Sequence, residues 1–301
     1  MSDSRETNST PRRIVGTKRF REAMPKPIST RIFTVANQKG GVGKTTSAVN
    51  IGAALAMGGL RTLIIDLDPQ GNASTAFGIS RDEVNGMYEV IIKDLPMQSA
   101  ALKIPGYPNL EVIPATQSLA NAEVELVPMV AREMRLKKSL NNYLLDAANK
   151  GERFDYVIID CPPSLGLLTI NALVAAQELL IPIQCEYYSL EGLTLLLHTV
   201  SLIQEHLNPN IRLTTILLTM FDGRTRLAND VAAEVRKHYS AELIDIPIPR
   251  AVRISEAPSY GQTVMTYDPA SNGAEAYGLV AREIARRGAL SSNSNSEKGV
   301  G

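Results

Sequence analysis

The sequence has little from which a disulfide framework, a metal cluster or a membrane span could be built. It contains two cysteines, Cys161 and Cys185, and no C-x-x-C pair. Its three histidines lack the spacing of metal ligands. The most apolar helical stretch, residues 190–207, carries Glu and His and lacks the long uncharged run of a membrane span. Because the first residues are polar and contain no apolar signal core, a reducing cytoplasm is the expected location.

An excess of positive charge is also missing. Lys and Arg number 31, as do Asp and Glu. This balance excludes a uniformly basic nucleic-acid-binding protein, so any contact with DNA must come from a local patch. The hydrophobic fraction of 44% is sufficient for a large core and argues against wholesale disorder.

Composition divides the 301 residues into three parts. Residues 1–30 are rich in Ser, Thr, Pro and Arg, which predicts a flexible, basic N-terminal arm. Residues 31–288 have the pattern of one folded domain. Residues 289–301 are rich in Ser, Asn and Gly and predict a disordered tail.

Short apolar runs alternate with helical patterns through the middle of the chain. Continuous apolar runs are typical of strands that are covered on both faces. Strand–helix alternation over this length predicts an α/β fold, a mostly parallel twisted sheet with helices on both faces. Ligands of such sheets bind beyond the carboxyl ends of the strands. The predicted strands are 32–36, 62–66, 156–160, 179–183, 213–218 and 243–246.

A glycine-rich run, Ala-Asn-Gln-Lys-Gly-Gly-Val-Gly-Lys-Thr-Thr at 36–46, follows the first predicted strand and precedes a helical pattern. Glycines let the backbone wrap around phosphates, and the helix N-terminus adds partial positive charge. Lys44 would reach the β- and γ-phosphates, and Thr45 would coordinate Mg²⁺. A loop that only turns a strand into a helix would leave this combination unexplained. The sequence therefore predicts ATP and Mg²⁺, with nucleotide contacts from Lys39, Gly40, Gly41, Val42, Gly43, Lys44, Thr45 and Thr46.

The loop departs from the usual G-x-x-x-x-G-K-[ST] pattern, because Gln38 replaces the first glycine and Lys39 is added. The run K-G-G-V-G-K-T-T resembles the deviant phosphate loop of the family that includes ParA, Soj, MinD and the nitrogenase iron protein. The resemblance implies that Lys39 reaches across a dimer interface to the ATP bound by the other subunit, so that Lys39 and Lys44 both act in catalysis. From spacing alone, Lys39 could also be an ordinary surface lysine.

Three carboxylates follow or end apolar strands. Asp160 ends one strand and is assigned to Mg²⁺, through water, as the carboxylate expected downstream of a phosphate loop. By resemblance, Asp68 positions the attacking water and acts in catalysis, with Asn72 as a possible assistant. Asp66 is expected to support the loop by hydrogen bonding. Each aspartate has an alternative role as a turn or helix-cap residue.

Several longer stretches resemble the chromosome-partitioning ParA/Soj branch, over about residues 31–287. They include 37–50, 66–74, 112–127, 157–171, 182–192 and 250–261. The resemblance implies a homodimer in the ATP state, non-specific binding to double-stranded DNA, and a ParB-type centromere-binding partner that stimulates hydrolysis. It also implies a nucleoid-associated location and adenine contacts from Met220 and Pro249.

A local basic patch is consistent with DNA binding. Arg224 follows the strand predicted at 213–218, and Arg250 and Arg253 lie in a later segment. Arg224 and Arg253 match positions implicated in DNA binding in the ParA/Soj branch. Guanidinium groups on phosphates give salt-sensitive affinity without base recognition. The alternative is that these arginines are solvated or paired with nearby carboxylates.

Three other readings remain open at this point. A MinD-like ATPase that cycles on membranes needs a basic amphipathic C-terminal anchor, and the end of this sequence has no apolar face. An iron–sulfur redox protein needs two cysteines per subunit, and Cys161 and Cys185 satisfy the count. A nucleotide-dependent scaffold would use ATP only to switch shape.

Overall fold

The computed structural model describes residues 17–290, apart from residues 83, 187 and 188. Within these residues, eight strands form one sheet in the order β3-β4-β2-β5-β1-β6-β7-β8. Neighbouring strands are parallel except β3, which runs antiparallel to β4. The strands are β1 (Arg31–Val35), β2 (Thr62–Asp66), β3 (Leu102–Lys103), β4 (Leu110–Ile113), β5 (Tyr156–Asp160), β6 (Glu178–Gln184), β7 (Arg212–Thr219) and β8 (Leu243–Ile244).

Helices cover both faces of this sheet. They are α1 (Lys44–Met57), α2 (Asn72–Ala76), α3 (Met87–Ile92), α4 (Ala122–Leu126), α5 (Arg135–Asn149), α6 (Leu167–Ala175), α7 (Ser189–His206), α8 (Arg226–His238), α9 (Val252–Glu256), α10 (Val264–Tyr267) and α11 (Asn272–Leu290).

The buried strands explain the two-sided core. Side chains of a strand alternate between faces, so Leu63 and Ile65 pack with α3, α5 and α6. Ile64, between them, packs with α1 and α11 on the other face. Because both faces are covered, polar positions are found mainly at strand ends. The chain leaves β1 toward β2 and later returns to β6 on the other side of β1, and this reversal opens a crevice at the carboxyl end of β1.

The predicted fold class is confirmed, and most predicted strands lie within a residue or two of those observed. The strand predicted at 243–246 is wrong in length, since β8 contains two residues. Strands β3 and β4 were not predicted, because they are short and β4 carries Glu111. Pro128 lies between α4 and α5, where a proline prevents one continuous helix.

The prediction of a flexible arm is wrong for residues 17–30. Phe20 and Met24 are 5% and 6% exposed and belong to the core on the α1/α11 face. Arg282 donates to the Arg19 carbonyl at 3.2 Å and pairs with Glu22 at 2.8 Å. Two buried apolar side chains are enough to fix this segment, and mean composition does not detect them. Residues 1–16 and the tail from 291 lie outside the described residues, whereas α11 continues to Leu290.

Candidate nucleotide-binding site

The phosphate loop occupies the crevice at the carboxyl end of β1. Helix α1 begins at Lys44, and Gly41 and Gly43 have φ of 75° and 85°, in the left-handed region that favours glycine. A Cβ atom at Gly40 or Gly41 would meet no atom within 4 Å, so these residues border open space. The loop therefore presents backbone amides and the N-terminus of α1 to a cavity, the arrangement that binds phosphate.

Side chains from neighbouring strands fix the loop in place. Asn37 donates to the Pro182 carbonyl at 2.8 Å and accepts from the Lys39 amide at 3.0 Å. On the other side, the Thr219 hydroxyl donates to the Val42 carbonyl at 2.8 Å. The ends of β6 and β7 thus hold the loop from two sides, which preorganises it for a ligand.

The two loop lysines have different surroundings. Lys44 is 6% exposed, and its Nζ donates to the Lys39 carbonyl at 3.1 Å. Burial lowers the pKa of Lys44, while Asp160 and Asp68 oppose that shift. The Nζ of Lys39 instead lies 2.6 Å from Oε2 of Glu186. Lys44 faces the cavity, whereas Lys39 is held outside it by its own chain.

Asp66 and Asp160 are opposite each other in the register of β2 and β5. Both are fully buried, and Asp68 is 6% exposed. Asp66 accepts hydrogen bonds from the Ser74 amide at 2.7 Å and the Ser74 hydroxyl at 2.6 Å. Burial nevertheless raises the pKa of Asp66 to about 6. Asp66 therefore connects β2 to α2, and its hydrogen bonds go to Ser74 and Asp68 rather than to the phosphate loop that it was expected to support.

Asp160 is a buried acceptor without a well-formed hydrogen bond. Both of its carboxylate oxygens lack a partner of suitable geometry. Burial raises its pKa well above the usual value, with the charge of Asp66 adding to the rise, and the nearby Thr45 side chain offsets part of it. An unpartnered carboxylate beside a hydroxyl fits a divalent cation or its bound water.

A complete set of metal ligands is not supplied by the protein. Within the described residues, no group of three or more His, Cys, Asp or Glu could hold a metal ion. Mg²⁺ commonly keeps several waters and takes few protein ligands together with substrate phosphates. Asp160 and Thr45 therefore fit Mg²⁺ that is bound together with a nucleotide.

A cavity of about 520 Å³ opens above the loop, a size typical of small-ligand sites. Asp68 and Asn72 lie in its wall, and so does Met220, which has a left-handed φ of 51°. Pro249, predicted as an adenine contact, does not line this cavity, because it pairs with Phe221 beyond the end of β7. Further wall residues that the sequence analysis did not single out are Val49, Asn50, Gln70, Thr75, Ala76, Pro163, Ser255, Ala257, Pro258, Ser259 and Gln262.

Comparison with known proteins identifies the family. The family model described as an AAA domain matches residues 30–213. Sporulation initiation inhibitor protein Soj of Bacillus subtilis is 50% identical over 259 residues, which are 86% of this chain and 99% of that protein. Chromosome partitioning protein ParA of Myxococcus xanthus is 48% identical over 85% of this chain and 88% of its own length. This chain belongs to the ParA/Soj family of chromosome-partitioning ATPases.

Solved structures agree with this assignment. Cobyrinic acid a,c-diamide synthase from Mycobacterium smegmatis, with bound ATP analog and magnesium, has a TM-score of 0.72 and 38% identity over 85% of this chain and 95% of that one. MinD of Pyrococcus horikoshii has a TM-score of 0.65 at 24% identity, over 85% of this chain and 96% of its own, and shows the fold alone. The open loop, Thr45 and the unpartnered Asp160 of this ParA/Soj-type ATPase fit ligands of the same kind, a nucleotide and Mg²⁺.

The three candidate DNA-binding arginines of this ParA/Soj-type ATPase are exposed, and two of them are paired with carboxylates. Arg224 binds Asp222 with two hydrogen bonds, at 2.8 and 2.7 Å. Arg253 lies 3.1 Å from Glu256, and Arg250 is exposed next to the Asp222 loop. The structure brings the three arginines to one region, on the segments that follow β7 and β8. For Arg224 and Arg253 it also shows the carboxylate pairing that the sequence left open.

The remaining alternatives find no added support in this ParA/Soj-type ATPase. Cys161 is fully buried and Cys185 is 7% exposed, and burial raises the pKa of both thiols. These are properties of packed cysteines rather than of thiolate ligands. Across the part of the chain that the structure describes, no helix has the length and apolar character required to cross a membrane.

Proposed function

We propose that this ATPase forms a dimer around two ATP molecules, that the dimer binds DNA without sequence preference, and that a ParB-type partner releases it by stimulating hydrolysis. One observation carries the proposal. The loop with its two lysines, Asp68 and the unpartnered Asp160 lie at the carboxyl edge of the sheet, where Lys44 and Asp68 line one cavity. The names of the relatives, chromosome partitioning proteins, support the cellular role.

Residues of this chain would divide the work of hydrolysis. The amides of Gly40 to Thr46 and the ammonium of Lys44 bind the phosphates, and Thr45 and Asp160 would hold Mg²⁺. Mg²⁺ supplies neutralisation of phosphate charge. Asp68 lines the cavity and orients the attacking water, with help from Asn72. The chemistry needs orientation and charge neutralisation more than a strong base.

Dimerisation gives Lys39 a second partner. Its side chain is 39% exposed at the shoulder of the loop, where another protomer can approach. A lysine inserted from the neighbouring protomer adds positive charge at the phosphates, so the complete site requires two chains. ATP would thereby control the association state.

DNA binding would follow from the dimer. Two copies of Arg224, Arg250 and Arg253 double the positive charge and permit bivalent contact with phosphates. DNA would compete with Asp222 and Glu256 for the guanidinium groups, which are held in exposed pairs of low net energy. Nucleoid association follows from such sequence-independent binding.

The test is co-sedimentation with DNA in the presence of ATP, ADP or no nucleotide. Wild-type protein should bind with ATP, and Arg253→Glu should reduce that binding about tenfold or more, because a phosphate contact is replaced by repulsion. Arg286→Glu is the matched control, since Arg286 is 59% exposed and pairs with Glu283 three residues away, as the 57%-exposed Arg253 pairs with Glu256.

Three outcomes separate the alternatives. Binding that needs ATP and is lost only in Arg253→Glu supports the proposal. Equal binding in all nucleotide states removes ATP as the switch. Equal loss in both variants reduces the effect to net charge and contradicts the assigned surface.

A further inference from the structure

Lys39 is tied to a residue 147 positions away. Its Nζ lies 2.6 Å from Oε2 of Glu186, which follows the end of β6. Lys39 is absent from the wall of the nucleotide cavity, whereas Lys44 lies in it. In the single chain, therefore, the first loop lysine points toward Glu186 and away from its own nucleotide site.

Glu186 is itself held in position. Its other carboxylate oxygen accepts a hydrogen bond from the Gln184 side chain at 2.5 Å, and its amide donates to the Gln184 carbonyl at 2.8 Å. On the loop side, Asn37 fixes the Lys39 amide and is anchored to Pro182 of β6. Both members of the pair thus sit on preorganised backbone, so the pair is more than a chance meeting of two surface side chains.

We propose that Glu186 is a positioning residue that withholds Lys39 within one protomer until a second ATP-loaded protomer arrives. The inference rests on the proposed cross-protomer role of Lys39 and adds the contact that opposes it. Lys39 can serve the neighbouring site only after it leaves Glu186. The pair therefore sets the ATP concentration at which dimers form, and limits dimerisation of a chain without nucleotide.

The expected effect is modest and can be bounded. Both side chains are partly exposed, 39% for Lys39 and 44% for Glu186, and exposed pairs of this kind contribute little each. Two pairs open for each dimer formed. Glu186→Gln should therefore strengthen dimerisation by roughly 2-fold to 30-fold.

The experiment measures dimer formation by sedimentation velocity, over a titration of a non-hydrolysable ATP analogue with Mg²⁺. Glu186→Gln should dimerise at lower protein and analogue concentrations than wild type, with ADP affinity of the monomer unchanged within twofold. Glu152→Gln is the control, because Glu152 forms a partly exposed pair with Arg61 at the opposite edge of the sheet. Raising the salt concentration should shrink the difference between Glu186→Gln and wild type, since salt screens the pair in the wild type alone.

A second measurement follows Lys39 directly. An amine-reactive reagent should label Lys39 in nucleotide-free Glu186→Gln severalfold faster than in wild type, as read by mass spectrometry, with no change in Glu152→Gln. If wild type never dimerises but this labelling difference is found, the pair exists and the proposed dimer is wrong. Weaker or unchanged dimerisation of Glu186→Gln, when wild type does dimerise, overturns the withholding role; weaker dimerisation would place Glu186 in the assembled interface.

Discussion

Buried charges are paired at the amino ends of the parallel strands and crowded together at the carboxyl ends. At the amino ends, Arg31 of β1 pairs with Glu178 of β6 at 2.6 and 2.5 Å and also donates to the Ile284 carbonyl at 2.8 Å. At the carboxyl ends, Asp66 and Asp160 lie side by side, and Asp160 has no well-formed hydrogen bond. The Arg31–Glu178 pair is complete within one chain, whereas the carboxylate of Asp160 is complete only with a ligand.

This difference separates stability from function within one sheet. The Arg31–Glu178 pair at the amino edge holds both of its charges within the folded chain. Crowded carboxylates at the carboxyl edge cost folding free energy, which Mg²⁺ and nucleotide binding can recover. Mutations at the amino edge should therefore change mainly the free energy of unfolding. Mutations at the carboxyl edge should change mainly ligand binding and hydrolysis.

The largest expected effect lies at the amino edge. Glu178→Ala leaves the Arg31 guanidinium, whose side chain is 15% exposed, without its carboxylate. Removal of one member of a mostly buried pair should lower the free energy of unfolding by about 3 kcal/mol. Affinity for Mg²⁺-ATP should stay within twofold. Chemical denaturation and calorimetric titration measure the two quantities.

Arg226→Ala is the control for Glu178→Ala. Arg226 is 95% exposed and pairs with Asp230 at 3.6 Å, so its loss should leave stability unchanged within error. If Glu178→Ala weakened ATP binding as strongly as it weakened folding, the two edges would be coupled and the contrast would fail.

The next effect, at the carboxyl edge, is a loss of hydrolysis with little loss of stability. Asp68→Ala should slow phosphate release about 100-fold, because the attacking water loses its orienting group. ATP binding should persist, and the ATP-bound dimer should accumulate. Stability should change by no more than about 1 kcal/mol, since the main loss is one hydrogen bond from the Gln70 amide at 2.9 Å. Unchanged phosphate release would remove Asp68 from the mechanism.

Local patterns made much of this carboxyl edge predictable. Each motif is a short continuous stretch of sequence: the run at 36–46 and the two apolar strands that end at Asp66 and Asp160. The sequence alone therefore indicates the loop and its carboxylates. The pairing of Lys39 with Glu186 and the entry of Gln262 into the cavity wall depend on packing between distant segments. No spacing rule contains them.

Composition was a poorer guide than pattern at the N-terminal segment. Residues 17–30 are polar on average, yet single apolar side chains, Phe20 and Met24, bury themselves against α1 and α11. The free energy of burial belongs to individual side chains, whereas an average over thirty residues conceals it. Position in the family was also a poor guide for Pro249, which pairs with Phe221 and lies outside the cavity wall.

The smallest expected effect is the pH dependence of the free energy of unfolding, measured in protein free of nucleotide and Mg²⁺. The pKa of Asp66 is raised by burial to about 6 from the usual 3.8, so below pH 6 the folded chain binds a proton that the unfolded chain does not yet bind. The free energy of unfolding should therefore rise as pH falls from 7 to about 5, by on the order of 1 kcal/mol. Denaturant melts across this range measure the slope.

The direction of that slope distinguishes the crowded edge from ordinary ion pairs. Arginine pairing lowers the pKa of Glu283 to about 2, so its contribution is lost only as pH falls below about 4.5, outside the tested window. Asp66→Asn should flatten the slope between pH 7 and 5, because the titrating group is gone. Saturating Mg²⁺-ATP should also flatten or reverse it, since the bound ligand favours the ionised carboxylates. If the ligand-free wild type lost stability steadily from pH 7 to 5, the carboxyl edge would hold no excess of buried negative charge.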